Sequence, residues 1–219
     1  MTTILHLETA TRTCSVALSV NAKLIDVIEI HGDQYIHGEK LTLFIQEILT
    51  KNSITFDNLS AVSISSGPGS YTGLRIGVAT AKGICFAKNI PLIEIDTLQA
   101  FENCARKSFP SETICVMLDA RRMEVYSSIF DASRKPVKSI SADILDDNTY
   151  SEFEPFVCVG DGSTKCREIW SERNIHFNDA VQLSAFGQVE LAFNKYVNKQ
   201  FADLAYFEPN YLKEFYSGK

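Results

Sequence analysis

The stretch SGPGSYTGLRIG, residues 66–77, gathers four glycines and a proline where a β-rich run hands over to a helical one. Backbone amides left bare by glycine can cradle a phosphate, so the first chemistry to weigh is nucleotide binding. A phosphate loop of the form G-x-x-x-x-G-K-[ST] needs a lysine beside its last glycine, and the chain has no such segment. The dinucleotide fingerprint G-x-G-x-x-G is met by Gly67 and Gly69, but its third glycine position holds Thr72 and the glycine comes one residue late, at Gly73. Nor is the loop entered from the first strand of the chain, as in a Rossmann unit. The third reading is geometric. Gly67, Pro68 and Gly69 form a sharp strand-to-helix turn, and Ser70 caps the helix that follows.

Metal and nucleophile chemistry has few candidates. His6, His31, His37 and His176 show no ligand spacing. His37 and Glu39 stand two apart, unlike the H-E-x-x-H of a zincin, and His37 reads as a partly exposed residue near a helix start. The six cysteines, at 14, 85, 104, 115, 158 and 166, form no C-x-x-C pair, and several lie inside apolar runs. That usage fits small buried hydrophobes in a reducing compartment rather than zinc ligands. Formal net charge is −6, and the densest basic groupings are pairs such as Arg121-Arg122 and Arg134-Lys135, which argues against RNA binding by this chain alone. The start MTTILHLETA lacks a basic segment followed by a long apolar one, and no run is long enough for a bilayer. A cytoplasmic location away from membranes is expected.

The elements that position these residues follow from hydrophobic periodicity. Segments 3–8, 14–20 and 24–31 read as strands, the last two turning at Asn21-Ala22-Lys23. Leu41, Phe44, Ile45, Ile48 and Leu49 then fall on one helical stripe, which Asn52-Ser53 ends. A strand at 61–65, the glycine turn, a helix over 70–88 stopped by Asn89 and Pro91, and a strand at 92–95 complete a βββαβαβ order. Strands reached through helical crossovers must run parallel in the same sheet, which makes this a ribonuclease-H-like lobe. Beyond it lie a helix (TLQAFENCARK), strands at 113–118 and 123–130, a strand–turn–helix over 157–170, and helical periodicity at 184–199 and near the C-terminus. The expected class is α/β: two ribonuclease-H-like, actin-like ATPase (ASKHA-type) lobes of mixed sheets flanked by helices. The first lobe spans 1–99, and the second, smaller and less regular, spans 100–219. Whether the C-terminal segment packs back on the first lobe stays open.

On a helical wheel Leu74, Gly77, Val78, Ala81, Ile84 and Cys85 share a broad face suited to the parent sheet. Thr72, Ile76, Ala79, Gly83 and Ala87 lie opposite, with Arg75 and Lys82 on a narrow polar edge. A helix that is apolar or small on both sides needs a second cover besides its own sheet. Ala79 and Gly83 would let another helix approach closely. Leu43, off the apolar stripe of the preceding helix, extends the patch. The cover is either the chain's own second lobe or C-terminus, or a partner subunit.

The segments LHLETATRTCSVAL, HGEKL, SSGPGSYTGLRIGVATAKGICFAKNIPLIEIDTL and DARRMEVY resemble the TsaB family of tRNA threonylcarbamoyladenosine biosynthesis proteins. The likeness covers roughly the first 130 residues, with a looser tail at FEPNYL. That family sits in the glycoprotease-like group of the actin-like ATPase superfamily. The resemblance implies a subunit that pairs with the related catalytic subunit TsaD, and with the ATPase TsaE through the complex. Together they pass a threonylcarbamoyl group to the tRNA adenosine 3′ of the anticodon. TsaD-like chains carry a metal-binding H-x-x-x-H pair after the shared block, and aligned on NIPLI those positions here are Thr97 and Phe101. Asp119-Ala120-Arg121-Arg122 stands where TsaD-like chains have a glycine-rich phosphate segment. Glu8, Thr9 and Asp161 remain as degenerate nucleotide-site loops, where a carboxylate could hold Mg²⁺ through water or merely cap a turn.

These readings combine into a non-catalytic subunit with no cofactor of its own, weak nucleotide or Mg²⁺ binding left open. Its main product is a heterodimer surface made of Leu43, Thr72, Ile76, Ala79, Gly83 and Ala87. tRNA is met only within the complex, and a homodimer through the same helices is possible when the chain is alone. The alternative is a self-sufficient enzyme of the same fold, a small-molecule kinase or a metallopeptidase. Either would need a catalytic base with ordered phosphate loops, or a metal-bound water.

Overall fold

Alternating apolar residues in the first thirty positions fold into an antiparallel meander of β1 (Thr3–Glu8), β2 (Cys14–Val20) and β3 (Lys23–Ile30). The computed structural model describes residues 1–32 and 36–213. Helix α1 (His37–Lys51) crosses to β4 (Ala61–Ser65), which pairs parallel to β1. Helix α2 (Tyr71–Lys88) crosses to β5 (Leu92–Ile95), parallel to β4, giving the sheet order β3-β2-β1-β4-β5. Leu5, Leu7, Val16, Leu18, Val62 and Ile64 face one side of this sheet. There they meet Leu41, Phe44, Ile45 and Ile48 of α1 and Val78, Ala81 and Cys85 of α2 in one core cluster.

The other side of the same sheet is polar yet buried. His6, Glu8, Ser15, Ser19, Ser63 and Ser65 line it, and Gln188 from the 3₁₀ turn Ala185–Gln188 reaches into them. Buried polar groups must find partners within the protein, and here they do. The His6 ring bonds Ser63 Oγ and Ser19 Oγ, each at 2.7 Å, while Ser63 Oγ donates to Gln188 Oε1 at 2.7 Å. Burial drives the His6 pKa down to about 3, so the ring is neutral.

A second sheet repeats the order. β6 (Ile114–Asp119), β7 (Glu124–Phe130) and β8 (Pro136–Ile144) form a meander; β9 (Phe156–Val159) joins β6 in parallel and β10 (Ile175–Asn178) joins β9. Read from its antiparallel edge, the order is β8-β7-β6-β9-β10, the same as in the first sheet. The expected α/β class of two ribonuclease-H-like mixed sheets is borne out. The chain divides into two compact units. The first is Met1–Cys104 with Leu183–Pro209, so that α3 (Thr97–Ala105) falls largely in it and α4 (Val189–Val197) wholly; the second is Ala105–Gln182 with the described residues from Asn210.

Several elements beyond residue 105 differ from expectation. The helix expected near 160–170 is a 3₁₀ turn over Asp161–Lys165 followed by turns. Gly160 enters it at φ 101°, and the D-G-S-T run favours side-chain-to-backbone turns over a helix. β8 and β10 are strands without a strong sequence signal. Helical periodicity near the C-terminus gives no helix over 200–213, and the rest of that expectation lies outside the described residues. No helix among the described residues is long and apolar enough to cross a membrane. All six cysteines are buried, and none is in a disulfide.

Candidate partner interface

The glycines of the opening stretch serve close packing. Gly67 takes φ 111° and exchanges hydrogen bonds with Thr97: its N–H donates to Thr97 Oγ1 and Thr97 N–H donates to its carbonyl, both at 3.1 Å. Ser70 caps α2 as expected, its hydroxyl accepting the Gly73 N–H at 3.3 Å, and its own N–H donates to Ala10 O at 2.6 Å. A Cβ on Gly69 would lie 2.4 Å from Ala10 O, one on Gly73 2.1 Å from Thr9 O, and one on Gly77 2.2 Å from Thr9 Oγ1. The N-terminal half of α2 is thus pressed onto the turn after β1, and only hydrogen fits between them.

This packing buries the loop that the sequence offered as a degenerate nucleotide site. Glu8 and Thr9 are fully buried. Glu8 Oε1 accepts the Ala10 N–H at 2.8 Å, and Oε2 accepts from Ser65 Oγ and from Gln188 Nε2. Burial raises the Glu8 pKa, and these donors oppose the shift. Its acceptor sites are therefore occupied by the protein. Asp161 belongs to the second unit, where its Oδ1 accepts the Asp119 N–H at 2.9 Å. At the positions aligned with the histidine pair, Thr97 holds the glycine turn and Phe101 is buried in α3. His37 is buried rather than partly exposed, its Nε2–H donating to Thr11 O at 2.8 Å. Among the described residues no three His, Cys, Asp or Glu side chains gather as a metal site needs.

The far side of α2 is different in kind. Thr72, Ala79, Gly83 and Ala87 are exposed, and a Cβ at Gly83 would meet no atom within 4 Å. α1 packs beside α2, with Leu43 53% exposed. Ile76 is half-buried and touches the core cluster, so it is split between core and outer stripe. The wheel reading missed the largest member of the stripe. Phe86 is 82% exposed, seven residues after Ala79 and three after Gly83, a spacing that marks it as part of the same row. Among the described residues the chain's own cover stops at the flank: Leu204 and Phe207 pack against the core cluster, and Lys82 Nζ donates to the carbonyls of Ala205 and Phe207, both at 3.1 Å. Lys88 is paired with Asp57 at 2.6 Å and Arg75 stacks on Tyr71 at 4.1 Å, so the cations of α2 are engaged locally and the stripe between them is small and apolar.

With this geometry in hand, comparison with known proteins decides the family. The family model for tRNA N6-adenosine threonylcarbamoyltransferase (TsaD) matches residues 34–214. The chain belongs to the TsaD family. Within that family its full-length likeness is to TsaB proteins. It is 28% identical to the TsaB of Haemophilus influenzae, covering 96% of this chain and 93% of that one. With the Escherichia coli TsaB the identity is 24%, over 96% and 94% of the two chains. The TsaB resemblance read from the first 130 residues therefore runs nearly end to end. Likeness to a TsaD-named transferase is higher in identity but local: 38% to that of Latilactobacillus sakei, over 35% of this chain and 22% of that one. A solved structure of YeaZ from Pseudomonas aeruginosa shares the fold, with TM-score 0.83, 22% identity, and coverage of 97% of this chain and all of that one.

Proposed function

We propose that this chain acts in tRNA threonylcarbamoyladenosine biosynthesis as a non-catalytic subunit that docks on a TsaD-like transferase through α1 and α2. The observation that carries this reading is the outer stripe of α2: Thr72, Ala79, Gly83 and Phe86, apolar or small and exposed on a helix already packed on its own sheet. A helix of the partner can approach closely over Ala79 and Gly83, while Phe86 offers a large side chain for a pocket, the kind of anchor that dominates interface energetics. The absence of catalysis in this chain is supported by the internal partners of Glu8 and by the structural use of Thr97 and Phe101. On this reading the chain fixes the transferase and completes the surface met by a TsaE-like ATPase and by tRNA, and a homodimer over the same stripe competes when the partner is absent.

Sedimentation of the chain mixed with its TsaD-like partner tests the proposal. Ala79→Arg and Phe86→Glu are each expected to abolish the complex while leaving the thermal midpoint of the isolated chain within a few degrees, because neither side chain contributes to the core. Ile76→Glu is the wrong probe, since its side chain touches that core. If both variants co-sediment with the partner as the wild type does, the interface lies elsewhere.

A further inference from the structure

Resting on the reading above, we propose that the hairpin tip Arg121-Arg122 is a contact for the phosphate backbone of RNA in the assembled complex. The tip joins β6 to β7 in the second unit, and both arginines are exposed. Both also take positive φ, 68° and 50°. Such a left-handed pair suits Asn-Gly and disfavours long side chains. The turn is nonetheless firmly built. Arg121 N–H donates to Asp119 Oδ1 at 2.6 Å, Asp119 N–H to Asp161 Oδ1 at 2.9 Å, and Glu124 N–H to Arg121 O at 3.2 Å. Asp161, a candidate Mg²⁺ holder by sequence, is thus a post of this turn.

Charge around the tip is arranged to leave the two guanidinium groups available. The nearest carboxylates are already engaged: Lys165 Nζ sits 2.5 Å from Asp119 Oδ1, and Lys213 pairs with Glu124. Neither Arg121 nor Arg122 makes a side-chain hydrogen bond or ion pair among the described residues. Elsewhere Arg106 bonds backbone carbonyls, Arg167 binds Asp179 and Arg173 binds Glu154. Asp119 and Glu124 are thus each paired with a lysine, on a chain of formal charge −6. A guanidinium fork donates to two oxygens of one phosphate, so two adjacent forks on a fixed turn match a chain of phosphates. Two arginines make few phosphate contacts, so such a tip would act only beside a partner that brings more RNA contacts.

The test uses the complex of this chain with its TsaD-like partner and an unmodified tRNA transcript. Arg121→Gly/Arg122→Gly is the variant of choice, because glycine takes positive φ freely and the turn should survive. Its complex should assemble normally, bind the transcript roughly five- to tenfold more weakly, and show a salt dependence shallower by about one to two in log K against log salt. Arg121→Lys/Arg122→Lys, which keeps charge but loses the forks, should restore most of the salt slope. Unchanged affinity and slope in an assembled glycine variant would overturn the inference. So would an unchanged transcript affinity with loss of the TsaE-like ATPase, which would assign the tip, with the exposed Met123 beside it, to an acidic protein surface. Failure of the wild-type chain to join the TsaD-like partner would instead reject the docking reading on which this inference rests.

Discussion

The two units share one strand order and differ in what covers their parallel strands. In the first, the crossovers to β4 and β5 are helices of 15 and 18 residues. In the second, the equivalent crossovers carry only the 3₁₀ turns Ser151–Phe153 and Asp161–Lys165. Trp170 takes much of the space a helix would fill. It is fully buried, its Nε1–H donates to Asp146 O at 2.8 Å, and its ring meets Tyr150 and Phe156 edge-on. One indole and tight turns suffice to close the second sheet. Long crossover helices are therefore not required by this fold, and in the first unit they present a second face. On our reading that face is for a partner.

The largest expected effect breaks the second unit alone. Trp170→Ala should lose about 3–5 kcal/mol, read by denaturant unfolding, because truncating a fully buried indole leaves a large cavity. Hydrogen exchange should rise in β6, β7 and β9 first. Gly77→Ala, in the first unit, should cost about 1–3 kcal/mol, since its Cβ would overlap Thr9 Oγ1 and crowd Ile64. If Gly77→Ala were neutral, the tight seat of α2 on the β1 turn would be wrong, and with it the burial of the Glu8 loop.

The units also respond differently to pH. Asp96, which caps α3 by accepting the Gln99 N–H at 2.9 Å, has its pKa raised by burial to about 6. A carboxyl with a raised folded pKa contributes stability that is complete below its unfolded value and lost as pH rises through the folded one. Asp96→Asn keeps the cap and should gain about 1–3 kcal/mol above pH 6, with little change at pH 4. His6 acts with the opposite sense: its lowered pKa means stability falls as pH drops from about 6.5 toward 3. In the second unit Asp143 is held low by Lys138, Tyr150 and the Ser127 and Ser141 hydroxyls against the burial that would raise it, so that its contribution is lost only in acid.

The smallest effect sharpens the contrast between faces of one helix. Gly83→Ala should gain about 0.5–1 kcal/mol from helix propensity, since its Cβ enters open space. The same substitution should weaken the complex by narrowing the approach of the partner helix. Stability and binding are expected to move in opposite directions at this position.

What could be read from the sequence tracks these same differences. The strands and helices of the first hundred residues were legible to within a residue or two, because Ser70, Asn52 and Asn89 mark helix ends and the apolar rows are long. β8 was not, because its PVKSISADI pattern belongs to a mostly exposed edge strand that begins with proline, and the four residues of β10 are too few for a period. Cys166 and Trp170 mimic a helical i, i+4 pair, yet both are held by turns. On α2 the wheel found the small residues of the outer stripe and passed over Phe86, whose row is clear once Ala79 and Gly83 are taken as neighbours. Of the two roles the sequence left to Glu8 and Asp161, holding Mg²⁺ or capping a turn, their bonds to the Ala10 and Asp119 N–H groups match the second, but their partners were not legible, because Gln188 and Asp119 lie far away in the chain.

Amide hydrogen exchange of this chain, alone and with its TsaD-like partner, tests the central claim most directly. Added protection concentrated in 37–51 and 71–88, with β6–β10 little changed, is the result expected of a docking face on α1 and α2. Protection concentrated in the second unit, with α2 exchanging as it does in the free chain, would contradict it.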